Sequence, residues 1–129
     1  MSRTLKELLA QGAESATAVT ARLTPALVDE LRPMRPDLIV TVDHGIACFD
    51  GVRAAKNAGW QVLVTDHHLP AASLPDADVI VNPNQVGDSF PSKNLAGVGV
   101  IFYVMMALRH SLRNYGWFET NKIPEPNLA

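Results

Sequence analysis

The chain has 129 residues, 47% hydrophobic and 19% charged, enough apolar material for one core, which excludes disorder throughout, and too little length for a large multi-domain enzyme. Lys and Arg number 11 against 13 Asp and Glu, a net charge of −2, which excludes the strong positive footprint behind sequence-independent nucleic-acid binding. At the N-terminus, Leu5, Leu8 and Leu9 recur at helical spacing within residues 3–11, with Gly12 as a stop. Residues 13–22 (AESATAVTAR) are small and without a period, and read as a linker. Thr24 and Pro25 form an N-cap and first-turn pair for a helix with the stripe Leu27, Val28 and Leu31, ended by Pro33 and Pro36.

Residues 37–43 (DLIVTVD) are a nearly continuous apolar, β-branched run, the pattern of a parallel strand covered on both faces. Phe49, Val52, Ala55 and Lys56 then make a helical stripe closed by Gly59, and residues 61–65 form a second strand, completing a βαβ unit. A third short strand is expected at 78–81. A long apolar helix follows over about 95–114, with Val98, Phe102, Met105, Leu108 and Leu112 expected on its buried side and Gly116 as its stop. Residues 117–129 read as an irregular tail. The fold class is therefore α/β, a parallel sheet built from βαβ units. Cys48 is the single cysteine, so neither an intramolecular disulfide nor a paired-cysteine zinc site can form. With no signal-peptide pattern and no run of about 18 apolar residues, a cytoplasmic protein free of membrane contact is expected.

In open parallel sheets, ligands bind beyond the carboxyl ends of the strands, and each strand here ends in polar residues. The second ends in Asp66-His67-His68, imidazoles and a carboxylate suited to manganese, iron, zinc or copper; the same triplet also reads as a solvated polar turn. Asp43 lies one unit earlier at the same end, where a carboxylate can bridge cations or cap the helix starting near Ile46. His44 reads as loop scaffold and Cys48 as a small buried filler. Asp76 and Asp78 precede the third strand, at the opposite end of the sheet, and read as a solvated turn. Gly97 and Gly99 open the long helix and suit either close helix packing or approach to an anionic group. Lys93 and Asn94 just before them are candidate phosphate partners, and Asn82 and Asn84 read as a structural turn.

The ordered run TVDHGI (41–46), VTDHHLP (64–70), VNPNQ (81–85), FPSK (90–93) and LAGVGVIFY (95–103), continued by GWF (116–118) and PNLA (126–129), closely resembles the RecJ-type single-strand-specific DNA exonucleases of the DHH phosphoesterase family. On that resemblance residues 1–22 are a divergent N-terminal segment, 23–115 a partial DHH phosphoesterase core and 116–129 a truncated tail. The resemblance implies a hydrolase cleaving single-stranded DNA from 5′ to 3′ in recombination and repair, with Mn2+ or Mg2+ as cofactor. Asp43, His67 and His68 would be catalytic, Asp43 and His67 the metal ligands, and Asp66 their support from behind. His68, Gly97 and Gly99 would face the substrate phosphates.

The family's first motif, an Asp-x-Asp-x-Asp cluster, should precede Asp43, where this sequence has only Asp29 and Asp37. Its fourth, another metal-binding aspartate, should follow PNLA. Two dications ~4 Å apart repel by roughly 16 kcal/mol at an effective dielectric of 20, so a two-metal centre needs several carboxylates. A fragment inactive alone, holding one cation weakly through Asp43 and His67, is therefore expected. The missing first-motif strand is expected to leave a sheet edge open to self-association. The alternatives are a truncated, non-catalytic binding module and a flavodoxin-like nucleotide-binding domain, the latter leaving the DHH, NPN and FPSK segments without a role.

Overall fold

The computed structural model describes residues 16–129. Its elements, in chain order, are β1 (Ala16–Val19), α1 (Pro25–Leu31) running into a 3-10 turn (Arg32–Met34), β2 (Leu38–Val42), α2 (Phe49–Asn57), β3 (Gln61–Thr65), β4 (Val79–Val81), α3 (Gly97–Asn114) and α4 (Trp117–Asn121). The four strands are parallel and lie side by side in the order β1-β2-β3-β4, so strand order follows chain order. The helix expected at residues 3–11 lies outside the described residues.

The apolar strands face both ways. Ile39, Val62 and Val64 pack under α1 and α2, joined by Val28, Val52, Ala55, Leu23 and Trp60; Leu38 and Leu63 point to the other face, against Val104 and Ile101 of α3. Continuous apolar runs in β2 and β3 are what a sheet covered on both faces requires. Thr24 caps α1, its Oγ1 accepting the Leu27 N–H at 3.2 Å.

Several expectations are corrected. Residues 16–19, within the segment read as a linker, form β1, paired from Ala16 with Leu38 to Val19 with Thr41. Four residues of Ala, Thr and Val carry too little periodic signal to announce a strand; the unpaired edge of β2 recruits them. β1 thus covers one edge of β2 and is itself the outer strand on that side.

The buried side of α3 is also different. Gly97, Val100 and Val104 are buried, whereas Val98, Phe102 and Met105 are exposed. The helix is apolar on most of its circumference, so two overlapping stripes exist, and the one with the smaller side chains lies against the sheet. Finally, residues 117–121 of the expected tail form α4, which buries Phe118. The segment after it is tied to α3 by Arg113, whose Nε donates to Glu125 Oε1 at 3.0 Å, and by Arg109, whose Nη1 donates to the Pro126 carbonyl.

The Asp76 and Asp78 pair precedes β4, away from the ends that carry Asp43 and Asp66. Asp76 is exposed, but Asp78 is no solvated turn residue: its side chain is 4% exposed, ion-paired with Lys56 Nζ at 2.6 Å and accepting the Val62 N–H at 2.7 Å. Sequence pattern alone does not reveal the lysine 22 residues earlier that takes it out of water. Asp78→Ala is expected to destabilise the fold by about 1–3 kcal/mol, the cost of an unpaired buried donor, while Asp76→Ala stays within about 0.5 kcal/mol; urea unfolding of the two variants checks this. Among the described residues no helix is long and apolar enough to cross a membrane.

Candidate metal centre

The ends of β2 and β3 lie side by side, Val42 opposite Thr65, so the residues that follow them emerge at one place. After β2 the chain turns sharply: Asp43 has φ +65° and Gly45 φ +111°. Aspartate is among the few side chains that tolerate the left-handed region, and a Cβ at Gly45 would overlap Thr41 Oγ1. Thr41 holds the turn by donating its hydroxyl to the His44 carbonyl at 2.7 Å, and Thr65 Oγ1 donates to the Thr41 carbonyl at 2.6 Å. Both threonines are fully buried.

These turns bring Asp43, Asp66, His67 and His68 together, each offering one ligand atom within 4.8 Å of the others. His67 Nε2 lies 2.9 Å from Asp43 Oδ1. Asp43 is more than half exposed and does not cap a helix, since the helix after it begins at Phe49 with Cys48 at its cap.

Asp66 is different in kind. It is 1% exposed and accepts the N–H groups of His67 (2.7 Å) and His68 (3.2 Å) on Oδ1 and that of Ile46 (3.1 Å) on Oδ2. His68 Nδ1 adds a fourth contact at 2.6 Å. Burial pushes its carboxyl upward, but the His68 side chain and the three backbone donors outweigh that and hold it below its ordinary value of 3.8. Asp66 therefore binds both loops together with its own oxygens already engaged.

The Asn-Pro-Asn segment beyond β4 proves to belong to the same construction. Asn82, 2% exposed, donates from Nδ2 to the His68 carbonyl at 2.8 Å, and Asn84 Nδ2 donates to the His67 carbonyl at 2.5 Å. The sequence alone announces a turn here; the usable signal is a pair of amides, two residues apart, at a strand end one unit beyond the histidines.

His44 is scaffold, as expected, its Nε2 3.0 Å from the Val19 carbonyl of β1, and Cys48 is a buried filler. Lys93 is not disposed toward a phosphate: its ammonium donates to the carbonyls of Pro83 (2.6 Å) and Asp88 (2.9 Å). Asn94 is exposed. Gly97 touches the site, since a Cβ there would overlap Asp43 Oδ1, whereas a Cβ at Gly99 would meet only Leu95. The first glycine thus allows the end of α3 to sit directly on Asp43.

The donor set suits a divalent cation of the manganese or magnesium type. Asp43 Oδ1 and His67 Nε2, paired at 2.9 Å, are near enough to serve one cation together. Adding an imidazole to the carboxylate shifts the preference from magnesium toward transition-metal dications.

Known proteins resemble this chain over most of its length. The profile described as "DHH family, N-terminal domain" matches residues 1–128. The single-stranded-DNA-specific exonuclease RecJ of Salmonella typhimurium is 55% identical over 107 residues, which are 83% of this chain and 18% of that protein. RecJ of Escherichia coli is 53% identical over the same shares. The chain thus spans about a fifth of the length of these relatives. Among solved structures, exonuclease RecJ bound to manganese is similar at a TM-score of 0.51 with 31% identity, over 75% of this chain and 23% of that one. RecJ in complex with Mn2+ from Thermus thermophilus is similar at 0.57 with 26% identity, over 95% and 20%.

Proposed function

The chain belongs to the DHH family, and from that premise we propose that it is the metal-binding core of a single-stranded-DNA-specific 5′-to-3′ exonuclease, acting on DNA in the cytoplasm during recombination and repair. The observation that carries this reading is the meeting of Asp43 and His67 at 2.9 Å, from the ends of adjacent strands, in a fold shared with manganese-bound RecJ structures. Asp43 and His67 would hold Mn2+ or Mg2+. A bound dication there supplies charge neutralisation at a phosphodiester and acidifies water.

The protein's own groups do the positioning. Asp66 fixes the backbone of His67 and His68 and draws His68 Nδ1 to itself. The rest of the His68 ring, more than half exposed, is left to face a substrate phosphate. The N-terminal turn of α3, at Gly97 and Gly99, lies beside Asp43, where backbone N–H groups favour an anion.

Residues 23–115 carry the site in our reading, with β1 of the 1–22 segment completing their sheet and 116–129 as a flanking segment, and the isolated chain is inactive. Asp43 is the one carboxylate of the cluster whose oxygens are not taken up by backbone donors, too few to hold two dications against their repulsion. The outer edge of β1 is the route by which it would self-associate.

The test is Mn2+ binding followed by electron paramagnetic resonance, beside degradation of 5′-labelled single-stranded DNA. Asp43→Ala and His67→Ala are each expected to weaken Mn2+ binding by roughly 10–100-fold or more, and no nucleotide release is expected from the parent chain. Manganese binding indifferent to both substitutions would sink the proposed centre. DNA degradation that disappears in Asp43→Ala would overturn the inactivity of the chain alone and leave the centre standing.

A further inference from the structure

We infer that Asn84 is a positioning residue for the metal centre, aiming the His67 imidazole at Asp43 and tying that aim to the loop that leads into α3. The inference rests on the metal-centre reading for its consequence, though not for its geometry.

The backbone of His67 and His68 is held from two sides, by its neighbour Asp66 and by two amides of another segment. From the residue just after β3, Asp66 takes both N–H groups. From beyond β4, Asn84 and Asn82 take the two carbonyls in the same order, His67 at 2.5 Å and His68 at 2.8 Å. With donors and acceptors of both peptide units fixed, the direction of each Cα–Cβ bond is fixed, and the imidazole keeps only its side-chain torsions. Imidazole ligands depend on such outer contacts for orientation, and losing one typically weakens metal binding by about 10–100-fold.

Asn84 is set apart from Asn82 by what else it holds. Its Nδ2 also reaches the Lys93 carbonyl at 3.3 Å, and its backbone N–H donates to Asn82 Oδ1 at 2.8 Å. Lys93 in turn bonds through Nζ to the carbonyls of Pro83 and Asp88, so the loop over 85–96 is knotted onto the Asn84 side chain. That loop delivers Gly97 to Asp43. One amide therefore connects the His67 ligand to the segment that presses on its partner ligand. Asn84 is half-buried, so its amide can be removed with less damage to the fold than that of the fully buried Asn82.

The experiment is NMR on the metal-free full chain, joined to Mn2+ titration. In the parent, the His67 ring should show nuclear Overhauser contacts with the Asp43 methylene. In folded Asn84→Ala those contacts are expected to vanish, the His44 contact with Val19 to remain, and Mn2+ affinity to fall about 10-fold. Asn84→Leu, which keeps much of the volume and removes the donor without adding charge, serves if the alanine variant melts too low, and should lose the same contacts. A folded variant with lower melting temperature but intact His67–Asp43 contacts would overturn the inference, because a merely structural amide would do that. If the parent binds no Mn2+ yet the contacts still depend on Asn84, the positioning role stands and the metal-centre reading fails.

Discussion

Gly97→Ala is expected to lower Mn2+ affinity about as much as removing Asp43 itself, and to destabilise the fold by about 1–3 kcal/mol, the usual cost of forcing extra volume into a packed place. The added methyl would overlap Asp43 Oδ1 and lie 2.6 Å from Asp43 Cβ. Neither side has room to yield. Asp43 is already in the left-handed region inside a turn fixed by Thr41, and α3 is anchored one and two turns further on by the burial of Val100 and Val104. Gly99→Ala provides the contrast. Its methyl would meet Leu95 Cδ1, at 2.5 Å, the end of a flexible side chain, and alanine improves a helix interior by up to about 1 kcal/mol over glycine. Chemical unfolding and Mn2+ titration of both variants decide the matter. Wild-type manganese binding in Gly97→Ala would refute the close approach of α3 to Asp43.

Asp66→Asn is the second large effect. One carboxylate serves three backbone donors and the His68 ring; an amide has one oxygen, and its NH2 would have to point at the donors facing the other. Each buried donor left unpaired costs roughly 1–3 kcal/mol, so a loss of about 3 kcal/mol is expected, with the two loops separating before the sheet opens. The pH dependence has a definite sign. The folded carboxyl ionises below its ordinary value of 3.8, so its contribution is complete above that pH and is lost as pH falls through the lower folded value. Metal-free parent protein should accordingly lose stability below pH 3.8 through this group, and Asp66→Asn should lack that part of the acid transition. Urea midpoints measured from pH 5 to pH 2.5 would expose a parent and variant that fall in parallel, which would contradict the role given to Asp66.

The sheet from β2 to β4 was legible because its physics is local. Apolar runs such as Leu38–Val42 and Gln61–Thr65, with Gly59 between, state their own structure. So was the meeting of Asp43 with the DHH triplet, since consecutive parallel strands bring like ends together. What stayed hidden depends on non-local partners. β1 exists because β2 offers an edge, Asp78 is buried because Lys56 reaches it, and α3 turns Val100 rather than Val98 inward because Gly97 must clear Asp43. The amides of Asn82 and Asn84 were visible as letters, but their distance from His67 and His68 along the chain concealed what they hold.

The strand order, which follows the order of synthesis, bears on how the molecule comes into being. Each strand can add to an edge already formed, with no later segment needing to thread between earlier ones, so closure of contacts advances with chain elongation. Asp43 emerges first, then the histidines, then the amides that aim them, and Gly97 last. The groups of the candidate cation site are thus made in the order in which they come to hold one another, and the site is complete once the first turn of α3 has joined the sheet.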